Sequence, residues 1–287
     1  MQMALSLFGW RKKEQGEKAE MSFIEHLEVL RGHLFRSVLA IAAGAVVFII
    51  YNKFFVQEVL MGPTHADFPT YKWLCNAGHA IGFGDAMCMK DIGLKMQSTS
   101  VSGQFSMYFT LIFVGGIIVA FPYIFWEFWR FVKPALTKKE LSKTRGVIFW
   151  VSFLFFLGIL FGYFIIAPYT VNFFANFQLD DNIENRWTIT SYIDTLVPLI
   201  LGTGLAFQLP LVMFFLAKVG LMSPSFLRRN RKYAIVVILI LAGIITPPDV
   251  ISQVICTIPL MLLYEISIRL TVKVEKQKEL EEKEEWS

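Results

Sequence analysis

Two uncharged runs, Met96 to Trp126 and Gly146 to Leu179, constrain this chain more than any other feature. Each exceeds the roughly 20 apolar residues that cross a bilayer. Hydrocarbon offers no partner to an open backbone, so such runs must be helices that satisfy their own N–H and C=O groups. Between them lie Arg130, Lys133, Lys138, Lys139, Lys143 and Arg145, against Glu127 at the end of the first helix and Glu140 on the loop. Loops rich in Lys and Arg stay on the cytoplasmic side. This loop is therefore expected inside, and the orientation of the other spans follows from it.

Residues 1–20 read as a flexible cytoplasmic extension, and without an apolar core before Ser37 no cleavable signal peptide is expected. Ser22-Phe23-Ile24-Glu25 has the spacing of a capping box. Phe23, Leu27, Leu30 and Leu34 then recur at helical spacing and lead into a first span of about Leu34 to Phe54, with Arg36 snorkelling from its inner end. An outer loop of about 55–104 holds Pro63, Pro69 and the Gly78 to Gly84 region, which rule out one continuous helix. Cys75 and Cys88 fall in it, on the oxidising side by the span count; Cys256 falls in a membrane segment. A Cys75–Cys88 disulfide is expected there, two free thiols being the alternative.

Further spans are expected at about 105–130, 146–168 and 195–219, the last containing Gln208 next to Pro210. Ser223-Pro224 reads as an N-cap with Pro at the first helical position. Arg228, Arg229, Arg231 and Lys232 mark a second cytoplasmic loop. Two apolar stretches follow, Tyr233 to Thr246 and Val250 to Ile268, divided by Pro247-Pro248-Asp249. Each is short for a perpendicular span, so a re-entrant hairpin competes with two short spans that thin the bilayer. A tight outer turn at Pro247 and Pro248 favours two spans. The expected fold is an all-α integral membrane protein with six transmembrane helices, the last two short, and both termini inside. Residues 21–269 form the membrane domain and 270–287 a charged cytoplasmic tail.

The chain is 55% hydrophobic and its net charge is only +4, with the bases gathered in loops, which points to topology control and away from nucleic acid. There is no Gly-rich phosphate loop, Cys-x-x-Cys or His-x-x-x-His pair, and all four histidines lie outside the apolar runs. No metal, cofactor or enzymatic activity is expected.

Four separated blocks resemble one family. His26-Leu27-Glu28-Val29-Leu30-Arg31, Phe131-x-x-Pro134-x-Leu136-x-x-x-Glu140, Phe207-Gln208-x-Pro210 and Thr246-Pro247-Pro248-Asp249-x-x-Ser252-Gln253 are similar to TatC, the multispanning receptor subunit of the twin-arginine protein translocase. The resemblance covers about Ser22 to Ile268. It implies a bacterial inner-membrane protein that binds twin-arginine signal peptides of folded precursors. It also implies single-span TatA/TatB-type partners, a homo-oligomer within the complex, and passage driven by the proton-motive force.

The resemblance assigns signal-peptide binding to Glu28, Arg31, Phe131, Pro134, Leu136 and Glu140. Two guanidinium groups need carboxylates, and a planar guanidinium can also stack on a ring. The family's usual Glu is replaced here by Val29, and one residue along a helix rotates a side chain by roughly 100°. A membrane-embedded polar pair is also exchanged: the family's Gln on span two is Glu127 here, and its Glu on span four is Gln208. The expectation is a Glu127–Gln208 pair facing a cavity, with Phe155 and Tyr163 in the same intramembrane set and Pro247, Pro248 and Asp249 at an outer turn. Blander readings stand beside these. Glu140 can cap span three from Thr137, Glu28 can pair with Arg31, Glu127 with Arg130, and Asp249 can cap the last span. Phe131, Phe155 and Tyr163 can be lipid-facing aromatics. A secondary transporter of small solutes is the alternative function.

Overall fold

The computed structural model describes residues 23–65, 67–82, 96–133, 146–180, 182 and 185–285. Helix α1, Phe23–Ile50, packs lengthwise against α3, Gly103–Val132. Small residues permit the contact. A Cβ on Gly44 would lie 2.7 Å from the Gly116 carbonyl oxygen, and Gly115 leaves room for the Phe48 ring. Close backbone approach of this kind supplies packing where lipid removes the hydrophobic drive between helices.

Helix α4, Val147–Phe161, passes through a π-helical stretch, Gly162–Ile166, into α5, Ala167–Asn176. Helix α6, Ile189–Ala206, breaks at Phe207 and Gln208 before α7, Leu209–Lys218, because Pro210 cannot donate the next helical bond. Ser223 caps α8, Pro224–Arg229, accepting from the Phe226 N–H at 3.2 Å, the role its sequence position predicts. Helices α9, Arg231–Ile245, and α10, Val250–Glu285, complete the order. Tyr192, Leu196 and Leu199 of α6 are buried in a core with Ile166, Ile238 of α9, and Cys256 and Leu260 of α10.

Among the described residues, five helical segments are long and apolar enough to cross a membrane: Leu27–Ile50, Gly103–Val132, Val147–Asn176, Ile189–Val219 and Val250–Gln277. Two boundaries differ from expectation. The first membrane-length helical segment starts at Leu27, earlier than the expected Leu34, so His33 lies on it, between the charged Arg31 and Arg36. Helix α9 is short, with 15 residues, but α10 is not: its 36 residues run without a break into the charged tail. The charges that end the apolar run do not end the helix; the first of them, Glu265, accepts from Arg231 Nη2 at 2.9 Å.

Two ends of the bundle matter below. The near end holds the start of α1 and the end of α3. The far end holds the segment after α1. That segment makes a turn at Asn52–Phe54, a π-helical stretch at Phe55–Leu60, a 3-10 turn at Gly62–Thr64, and helix α2, Pro69–Ile81. Gly82 closes α2 at φ +86, where a side chain is disfavoured. Irregular backbone leaves carbonyls without helical partners, and three phenols supply them. Tyr163 donates to Val59 O at 2.7 Å, Tyr192 to Leu60 O at 2.7 Å, and Tyr71 to Pro63 O at 2.6 Å. Cys75 lies on α2 and is disulfide-bonded, and Cys256 is a free buried thiol. The expected partner, Cys88, is outside the described residues.

Candidate functional site

The near end brings together two of the sequence blocks. Helix α1 carries Glu28 and Arg31, both exposed, and Val29, also exposed. Neither Glu28 nor Arg31 has a side-chain partner among the described residues, so the expected i, i+3 pair between them is not made. Phe131, at the end of α3, is half-buried and meets the His33 ring edge-on, with centroids 6.1 Å apart. Pro134, Leu136 and Glu140 lie outside the described residues.

Beneath this surface is Glu127, which is 0% exposed. A buried carboxylate is costly unless charge and hydrogen bonds reach it. Three basic side chains do. His33 Nδ1 is 2.5 Å from Oε2, Arg36 Nε is 3.3 Å from Oε2, and Arg130 Nη1 is 3.2 Å from Oε1. His33 and Arg36 are one turn apart on α1, and Glu127 and Arg130 one turn apart on α3, so two i, i+3 pairs face each other across the helix contact. The Arg130 guanidinium also lies 5.3 Å from the Trp126 ring centroid.

The expected Glu127–Gln208 pair is not formed. Gln208 Nε2 donates to Val151 O on α4 at 3.0 Å, and its Oε1 is buried without a partner among the described residues. Glu127 meets charged donors on its own and the adjoining helix, which outcompete a neutral amide. Of the aromatics, Phe155 is buried and stacks on Phe121 of α3 at 3.5 Å between centroids, so it is not lipid-facing. Tyr163 belongs to the far end through its bond to Val59. At the α9–α10 turn, which Pro247 and Pro248 form, Asp249 Oδ1 accepts from the Ser252 N–H at 2.6 Å. It therefore caps α10, while its Oδ2 is buried without a partner among the described residues. Thr170 and Ser252 hydroxyls bond at 2.9 Å beside it.

The residues that sequence reasoning missed are His33, Tyr71 and Tyr192. The i, i+3 spacing of His33 with Arg36, matched by that of Glu127 with Arg130, was the available signal. Nothing in the local sequence marks the tyrosines, whose acceptors are up to 132 residues away. Burial pushes the Tyr71 phenol well above its usual range, so it stays a donor throughout the physiological range. Among the described residues no group of three His, Cys, Asp or Glu side chains gathers as a metal site.

Residues 25–259 match the family described as Sec-independent protein translocase protein (TatC). The TatC protein of Blattabacterium sp. subsp. Periplaneta americana is 39% identical over 265 residues, covering 92% of this chain and 100% of that protein. TatC of Desulforapulum autotrophicum is 36% identical over 268 residues, covering 93% of this chain and 90% of its own length. A crystal structure titled as the twin arginine translocase receptor TatC superposes with a TM-score of 0.66 at 30% identity, covering 88% of this chain and 100% of that one. These relatives are components of a protein translocase, and nothing among them supports a small-solute transporter.

Proposed function

This chain belongs to the TatC family of Sec-independent protein translocase proteins, and on that premise we propose that it is the receptor that binds twin-arginine signal peptides of folded precursors. It sits in the bacterial inner membrane with six spans and both termini in the cytoplasm, α9 being the sixth. The near end is then the cytoplasmic face. Single-span TatA/TatB-type subunits and further copies of the chain complete the translocase, which the proton-motive force drives. The observation that carries the reading is the match to a solved receptor over nearly the whole chain.

The chemistry of the near end fits this role. Exposed Glu28 supplies a carboxylate on α1 where Val29 supplies none, and Phe131 offers a ring on which a guanidinium can stack. Glu140, the sole carboxylate of the basic loop 133–145, is the second acid, with Pro134 and Leu136 shaping the approach. A charge-assisted pair contributes roughly 1.5–3 kcal/mol, so Glu140→Ala weakens signal-peptide binding about tenfold or more. Glu140→Lys sets like charge against the arginine pair and abolishes it. Site-specific photocrosslinking of a twin-arginine signal peptide tests this, and undiminished crosslinking to Glu140→Lys overturns it.

A further inference from the structure

We infer that Arg36 and Arg130, at the α1–α3 contact, form a binding site for the phosphate of an anionic phospholipid headgroup. The α1–α3 contact carries an excess of positive charge. Glu127 is a single carboxylate, yet two guanidinium groups and an imidazole point at it. Even with His33 neutral, the cluster carries one net positive charge. Arg36 commits its Nε and Arg130 its Nη1, which leaves Nη groups of both side chains uncommitted among the described residues. Glu127 is sealed inside, but each arginine side chain remains 44% exposed. The spare N–H groups therefore face outward.

What they face is set by their neighbours. Leu39, one turn along α1 from Arg36, is exposed, and so are Phe35, Val38 and Phe128 at the same level of α1 and α3. An apolar surface of this kind on a membrane-spanning helix is covered by lipid. Guanidinium groups at its rim need an anion, because polar N–H groups facing hydrocarbon are costly. Tyr123 and Trp126, both partly exposed on α3, mark the headgroup level, where amphipathic rings concentrate. Lipid phosphate is the anion present at that depth, and basic pockets between helices bind such headgroups. Planar guanidinium matches phosphate in a two-point contact. A twin-arginine segment is excluded from this spot by like charge, so the site is distinct from the carboxylates proposed for the signal peptide, and the inference does not depend on that reading.

The test uses the full-length protein in detergent, titrated with phosphatidylglycerol, phosphatidylcholine or inorganic phosphate and read by native mass spectrometry. Phosphatidylglycerol is expected to bind in preference to phosphatidylcholine. Each of R36Q and R130Q should lower its affinity about fivefold, and E127Q, which adds one net positive charge, should raise it by a similar factor. Lysine at either position should restore only part of the loss, because it keeps the charge but not the two-point contact. Should a glutamine variant fail to fold, the lipid preference of the unaltered protein and the E127Q increase decide the matter. Equal binding of the two lipids, or affinity for phosphatidylglycerol unmoved by all three variants, overturns the site. Inorganic phosphate competing at equal concentration would overturn the assignment to lipid.

Discussion

The two ends of the bundle solve the same problem with different chemistry. Both hold polar groups that hydrocarbon cannot satisfy. At the near end a fully buried carboxylate is neutralised by His33, Arg36 and Arg130. At the far end the carbonyls of an irregular segment are satisfied by three neutral phenols. The partners also differ in reach. The charged cluster joins only α1 and α3, and α1 packs chiefly on α3. Tyr163 of the α4–α5 span and Tyr192 of α6 bind the far end to the body of the bundle, and Tyr71 of α2, which bonds within the far end, also lies 3.3 Å from Pro168 O of α5. A charge pair is strong but fails badly when one member is lost, whereas neutral hydrogen bonds fail one at a time. The near end is thus the part that a bound ligand or a single substitution can switch, and the far end is a fixed cap.

Substitutions test this contrast. Glu127→Leu should be the most damaging, since it strands the basic side chains against one another. Breaking a buried pair costs about 3–5 kcal/mol. The variant should still insert, lose thermal stability in detergent, and block export of a twin-arginine reporter after initial binding. Normal export by Glu127→Leu would remove the cluster from the mechanism. Gly44→Ala attacks the same helix pair without touching charge. The new Cβ meets backbone at Gly116, which cannot swing aside, so about 1–3 kcal/mol is expected from overpacking. Cysteine crosslinking between α1 and α3 should fall in parallel; if stability drops while crosslinking holds, α1 is anchored elsewhere.

At the far end, Tyr192→Phe removes one donor and leaves Leu60 O unsatisfied in a buried setting, for about 1–2 kcal/mol. Hydrogen exchange should rise at 55–64 and stay unchanged at the near end. A rise at both ends would show that the two are coupled. The smallest effect is the coupling within the exchanged pair. Glu127→Gln should be milder than Glu127→Leu, because the amide oxygen still accepts from the basic side chains, and because Gln208 bonds Val151 and not Glu127, adding Gln208→Glu should bring no rescue. Stability and export changes should simply add, as they do for independent sites. Marked recovery in the double variant would show an interaction between them that the folded geometry lacks.

The sequence by itself determined the class of fold, because uncharged runs of that length admit only helices in a membrane. It also placed the break at Pro247-Pro248, where a restricted φ acts on the chain locally, and it located the cap at Ser223, whereas the break before Pro210 came to light only in the folded span. Family membership was legible in the motif blocks, which are strings of residues. Hydropathy gives each side chain a depth but not the neighbour it faces, which depends on how helices distant in sequence rotate and cross. Tertiary structure alone therefore decided that Glu127 meets α1 and leaves Gln208 to α4. It set His33 against the buried Glu127 across the α1–α3 contact, and it enlisted Tyr163 and Tyr192 for carbonyls far away in the chain. It also carried α10 without a break through its charges into the tail. Local chemistry fixes where a helix starts, turns and stops. Which polar groups satisfy each other inside the membrane is settled only when the helices pack, because every candidate donor and acceptor then competes for the same few partners.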